Sequence, residues 1–136
     1  MFTSFKPLAA RITGRAPAKT PPTVLIILSH GPFEGDTTWN ALRLASTLLE
    51  RKSPVRVFVM NDAIDVVRKG AMPEGAEFDL QAMLRALLPA GGRIKICTTC
   101  INRCGIGQGE LIPEAIMATM ADLAAWIAES ERVLVF

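Results

Sequence analysis

All three cysteines of the chain fall in a single stretch, Lys95-Ile96-Cys97-Thr98-Thr99-Cys100-Ile101-Asn102-Arg103-Cys104-Gly105. Ile94 and Ile96 alternate with Arg93 and Lys95, which is the period of a strand. Thr98 and Thr99 favour a helix start, and Gly105 favours the position just past a helix end. Cys97 is therefore expected at a strand-to-helix junction, near the first unpaired N–H groups of a short helical turn. The positive end of that turn favours the thiolate, the form of cysteine that attacks and carries sulfur. Arg103 adds a positive charge nearby. The stretch reads as a site for sulfur chemistry.

Other chemistry fits the same residues. Cys97, Cys100 and Cys104 lie within roughly 60° of one another around a helix of 3.6 residues per turn. They could equally be small buried hydrophobes on one stripe. Cys-x2-Cys-x3-Cys with the single His30 offers four zinc ligands, but structural zinc favours two separate ligand pairs, and here one lone histidine must arrive from a distant segment. Cys97 and Cys100 alone have the Cys-x-x-Cys spacing of a thioredoxin-like dithiol. His30 could donate to a persulfide or shuttle a proton near neutral pH, or it could simply end the first strand. No metal and no cofactor are expected.

The elements that must position these residues alternate in type. Thr23 to Ser29 is a continuous apolar run, the mark of a strand covered on both faces. It opens into His30-Gly-Pro-Phe-Glu-Gly-Asp36, and Asp36 or Thr37 can cap a helix whose Ala41, Leu42, Ala45, Leu48 and Leu49 face a core. Val55 to Met60 is a second strand, and Asn61 or Asp62 can cap a short helix ending at Gly70. Leu80, Met83, Leu84, Leu87 and Leu88 fit a third helix, which Pro89 ends. The cysteine strand follows. Beyond Gly105, Gly107 and Gly109 suggest an irregular segment that could serve as a lid. Thr119 and Asp122 have capping-box spacing before a last helix, and Val133 to Phe136 closes as a strand. This alternation predicts a three-layer α/β/α sandwich on a mostly parallel, flavodoxin-like sheet. Both the loop after the first strand and the cysteine turn then lie at the carboxyl ends of the strands, where such sheets bind ligands.

At 136 residues the chain is long enough for one domain with its own core. An odd, clustered cysteine count argues against a secreted disulfide framework and favours a reducing cytoplasm. No apolar run is long enough to span a membrane. Residues 1–22 carry Lys6, Arg11, Arg15 and Lys19 and no acid. The whole-chain net charge of +2 therefore leaves the remainder at −2, with no basic stripe for nucleic acid. Residues 1–22 superficially match an organelle transit peptide. They read instead as a flexible basic tail, because Pro7, Pro17, Pro21 and Pro22 interrupt any amphipathic helix. Residues 23–136 form the domain.

With the first two strands, the Cys97 turn and the closing Arg132-Val-Leu-Val-Phe136 in place, residues 23–136 resemble the DsrE/DsrF-like family, small α/β proteins with a YchN-like fold. The specific part is the turn itself, Cys97, six residues, then Gly105. Cys97-Thr-Thr-Cys100 looks like a Cys-x-x-Cys subgroup of that family. The resemblance implies that Cys97 accepts and hands on sulfane sulfur as a persulfide, exchanging it with sulfur-donor and sulfur-acceptor proteins. It also implies assembly as trimers or hexamers, some from related non-identical subunits. Family members often carry arginine immediately before the glycine, where this chain has Cys104, so Cys104 could be a resolving thiol.

The expected function is a sulfur carrier or sulfurtransferase. Cys97 and Cys100 carry the chemistry, and Cys104, Arg103 and His30 are accessory. A thiol–disulfide redox protein using Cys97 and Cys100, and a non-enzymatic subunit of an oligomer, are the alternatives. A nucleotide-binding module is disfavoured, because the first loop has no GxGxxG or Walker pattern.

Overall fold

The apolar run after Thr23 forms β1 (Val24–Leu28), buried along its whole length. A strand covered on both faces has no solvent side to alternate toward, hence the unbroken hydrophobic sequence. The computed structural model describes residues 20–136. The basic tail expected over 1–22 thus lies almost wholly outside the described residues. β1 pairs with β2 (Val55–Val59), β2 with β3 (Arg93–Cys97), β3 with the two-residue β4 (Met117–Ala118), and β1 on its other side with β5 (Arg132–Val135). Every pairing is parallel, and the strand order is β4-β3-β2-β1-β5. This is the expected mostly parallel α/β sheet, in an order different from flavodoxin's 2-1-3-4-5.

The two faces are covered unequally. On one, Val24, Ile26 and Leu28 join Val55, Val57, Val59, Ile94 and Ile96 in a large core. Helices α1 (Thr37–Glu50) and α2 (Leu80–Ala86) pack there through Ala41, Leu42, Ala45, Leu80 and Leu84. Full burial of a side chain such as Leu42 stabilises the fold by roughly 2 kcal/mol. The opposite face has a smaller cluster, where Leu25, Ile27, Phe58 and Cys97 meet Leu123 and Trp126 of α4 (Met120–Glu129). Period-two alternation along each strand assigns these residues to the two faces. Lys95 and Arg56 lie over the Trp126 ring, their charges 4.6 and 5.7 Å from its centroid, and pair with Asp122 and Glu129. Strand β5 is exposed throughout, and Val135 keeps 67% of its surface accessible.

Several local expectations change in detail. The segment after β2 is a 3₁₀ helix, Asn61–Val67, which Met60 precedes without any side-chain cap. Asp36 occupies the N-cap of α1 but makes no capping bond, and the Thr38 hydroxyl instead donates to the His30 carbonyl at 2.8 Å. Thr119 and Asp122 do form a reciprocal capping box at the start of α4. The glycine-rich segment is no free lid. Lys69 N–H donates to the Glu110 carbonyl at 2.8 Å, Ile112 N–H to Val67 at 2.9 Å, and Leu111 and Ile112 are buried. Backbone bonds to the 3₁₀ region hold it down.

Candidate functional site

The chain leaves β3 at Cys97 and turns directly into α3 (Thr98–Arg103). Cys97 is both the last strand residue and the N-cap of the helix, and its Sγ accepts the Cys100 N–H at 3.4 Å. A side-chain acceptor here satisfies an N–H that the first helical turn leaves unpaired. The helix stops as its sequence predicts. Gly105 takes a left-handed φ of 66°, Ile106 N–H reaches the Ile101 carbonyl, and Gly105 N–H reaches Asn102, which is a Schellman closure. Ile101 and Ile106, both buried, pin the turn to the core.

The turn spreads its three free thiols from interior to surface. Cys97 is 2% exposed, Cys100 is half-buried, and Cys104 at the C-cap is exposed. They are therefore not one buried apolar stripe. The expectation of a Cys97 thiolate needs correction. Burial pushes the Cys97 thiol above its ordinary pKa, and its interaction with the Cys100 thiol pushes the same way, while backbone N–H donors pull only partly back. In the resting fold the first cysteine is held as a thiol.

Cys100, packed against the same cluster as Cys97, also reaches the exit of β2. Its Sγ accepts the backbone N–H of Asn61 at 3.3 Å. Asn61 adopts a left-handed φ of 51°, a conformation that asparagine tolerates better than most residues. Asn61, Asp62, Cys100, Arg103 and Cys104 together line a cleft of about 300 Å³. Arg103 thus stands beside Cys100 and Cys104 at the surface rather than beside Cys97. Two further clefts, about 300 Å³ around Leu111 and Met117 and about 460 Å³ around Arg85 and Glu114, contain no thiol and no histidine. Chemistry, rather than volume, singles out the cysteine cleft.

His30 is exposed and is not among the residues lining this cleft. The loop after β1 does approach it, since a Cβ on Gly31 would lie 3.6 Å from the Asp62 Cβ. The exit of β2 stands between that loop and the cysteine turn, as the strand order requires. Asn61 and Asp62 are the site residues that sequence reasoning assigned only to helix capping. The available signal was a pair of turn-forming polar residues at the carboxyl end of a buried strand. Among the described residues no group of three histidine, cysteine, aspartate or glutamate side chains is placed to hold a metal ion. No helix of the described chain is long and apolar enough to cross a membrane.

Comparison with known proteins finds this α/β fold again. Residues 23–136 match the DsrE/DsrF-like family, and the chain belongs to that family. Among its relatives, YchN of Escherichia coli (strain K12) is 32% identical over 115 residues, which span 83% of this chain and 97% of YchN. The crystal structure of the E. coli YchN protein superposes with a TM-score of 0.78 at 30% identity, covering 85% of this chain and 99% of that one. MTH1491 from Methanobacterium thermoautotrophicum, a protein of unknown function, is 11% identical with a TM-score of 0.66 over 85% of this chain and 99% of its own, a likeness of fold alone.

Proposed function

We propose that this chain is a sulfur carrier of the reducing cytoplasm that accepts sulfane sulfur as a persulfide on Cys97 and hands it on, with Cys100 as the partner thiol. The observation that carries the reading is the direct coupling of the two residues. The Cys100 N–H donates to Cys97 Sγ at 3.4 Å, in a turn closed at both ends, with both thiols free. Membership of the DsrE/DsrF-like family, which is associated with sulfur relay, supports it. In the exchange a thiolate attacks the outer sulfur of a donor persulfide, the donor's S–S bond breaks, and the donor leaves as a thiolate. Neither oxidant nor reductant is consumed. The apolar, exposed edge at Val133, Leu134 and Val135 supports self-association of the carrier through β5.

The test is intact-protein mass spectrometry of the reduced chain after incubation with a persulfide donor and removal of the donor. A mass gain of one or more sulfur atoms, reversed by reductant and absent from Cys97→Ser, is expected. A second reading, a reversible Cys97–Cys100 dithiol, draws on the same proximity. It would appear as the loss of two hydrogens with no sulfur gained. An unchanged mass in both proteins would reject both readings and leave a structural role.

A further inference from the structure

The carrier reading leaves open how sulfur reaches a thiol that is 2% exposed. We infer that Cys100 is the receiving thiol, and that its cleft takes a small persulfide of the amino-acid class, one bearing both an amino and a carboxylate group. This inference rests on the carrier reading and adds the port and the substrate class.

Geometry assigns the port. Of the Cys97–Cys100 pair only Cys100 lines the cleft, so a donor seated there meets Cys100 Sγ and not Cys97 Sγ. The Asn61 N–H, 3.3 Å away, gives Cys100 Sγ a fixed donor at the cleft. Thioredoxin-like motifs present the first cysteine of Cys-x-x-Cys outward; in this chain the second is the more accessible.

The lining assigns the substrate class. The cleft carries one carboxylate, Asp62, and one guanidinium, Arg103, and among the described residues neither has an ion-pair partner within 4.0 Å. Opposite charges flanking a thiol suit a ligand with an ammonium, a carboxylate and a terminal sulfur. At about 300 Å³ the cleft sits at the small end of ligand pockets, which commonly run from about 300 to 1,000 Å³.

Two balanced steps follow. The Cys100 thiolate attacks the outer sulfur of R–S–SH, the donor's S–S bond breaks, and RS⁻ departs with the electron pair, leaving Cys100–S–SH. Cys97 Sγ then gives up its proton and attacks that outer sulfur. The new S–S bond forms on Cys97, and the old one breaks with its electrons on Cys100 Sγ, which takes up the proton. The persulfide ends inside the apolar cluster, and Cys100 is free for another cycle.

The experiment incubates the full reduced chain with cysteine persulfide or with 2-mercaptoethanol persulfide, which lacks both charged groups. Samples are quenched with an alkylating agent at successive times and mapped by peptide mass spectrometry. Cys100→Ser and Cys100→Ala are each expected to load Cys97 at least tenfold more slowly than wild type, with unchanged melting curves. In Cys97→Ser the first sulfur is expected on Cys100. Cysteine persulfide is expected to load wild type several-fold faster than the uncharged donor, an advantage lost in Arg103→Gln and Asp62→Asn. Loading of both folded Cys100 variants at the wild-type rate overturns the port, and equal rates for the two donors overturn the substrate class. Either result leaves the carrier reading standing, whereas a wild type that takes up no sulfur from either donor removes both.

Discussion

The backbone N–H of Asn61 reaches Cys100 Sγ at 3.3 Å across 39 positions of sequence, tying the exit of β2 to the turn that follows β3. The contact fixes which sulfur faces the cleft. With Cys100 drawn toward Asn61, Cys97 is left facing Leu25, Phe58 and Trp126. The two thiols of one short motif touch the same apolar cluster but differ in exposure, and that difference is measurable.

Alkylation of the native chain should rank the thiols Cys104, Cys100, Cys97 from fast to slow, with Cys97 at least tenfold slower than Cys104. Because burial raises the Cys97 pKa, its protonated form is the one the fold favours. The associated stability is present below the ordinary thiol pKa, about 8.5, and is lost as pH rises through the raised folded value. Iodoacetamide labelling resolved by peptide mass spectrometry from neutral to alkaline pH should place the Cys97 midpoint above that ordinary value. A midpoint at or below it would contradict the buried-thiol description.

Gly105→Ala isolates the backbone at the end of α3. A Cβ there meets nothing within 4 Å, so the penalty comes from the left-handed φ alone. It should be about 1–2 kcal/mol. A thermal melt should show Tm lowered by on the order of 5 °C. No shift would mean that the turn re-closes in another way.

Asp122 accepts the Thr119 N–H and hydroxyl, and these bonds hold its carboxyl below the usual carboxylate pKa. A depressed carboxyl contributes stability above its unfolded pKa and loses it as pH falls through the lowered folded value. The stability gap between wild type and Asp122→Asn, measured by urea unfolding at several pH values, should be full near neutrality and shrink below about pH 4. A gap independent of pH would remove the charged capping box from the account of α4.

The proposed self-association through β5 can be tested with a single charge. Val135→Lys puts an ammonium on an exposed edge strand, a common natural device against edge pairing. Sedimentation equilibrium should find wild type as an oligomer and the variant as a smaller species with an unchanged far-ultraviolet spectrum. Identical masses would place any assembly surface elsewhere.

The legible parts of this fold are those written locally. Thr98 at the first helical position and Gly105 past the last one bracket α3, because helix-start and left-handed C-terminal preferences act within a few residues. The apolar stripe of α1 and the unbroken run of β1 likewise carry their burial in their own sequence. What could not be read depends on partners far along the chain. Cys97 is apolar-buried because Leu25, Phe58 and Trp126 arrive from three other elements, and no spacing within the motif encodes that. The helix-end argument for a thiolate was sound in sign, and desolvation outweighs it. Asn61 looked like a cap, since its donor role requires a cysteine from a neighbouring strand's exit. At two residues, β4 is too short to show any alternation. The segment around Glu110 looked loose because the bonds that anchor it run to Lys69 and Val67.

The strand order also sets a timetable. β5 pairs with β1, and beside them Thr23 N–H donates to a Glu131 carboxylate oxygen 108 positions away. At a synthesis rate of about 5–20 residues per second, β1 emerges from the ribosome roughly 5–20 s before the strand that completes its second flank. During that interval Val24 to Leu28, the most hydrophobic ribbon of the protein, has a bare hydrogen-bonding edge. Nascent chains stalled between α4 and β5 should therefore be the aggregation-prone and chaperone-bound species of this protein's biogenesis.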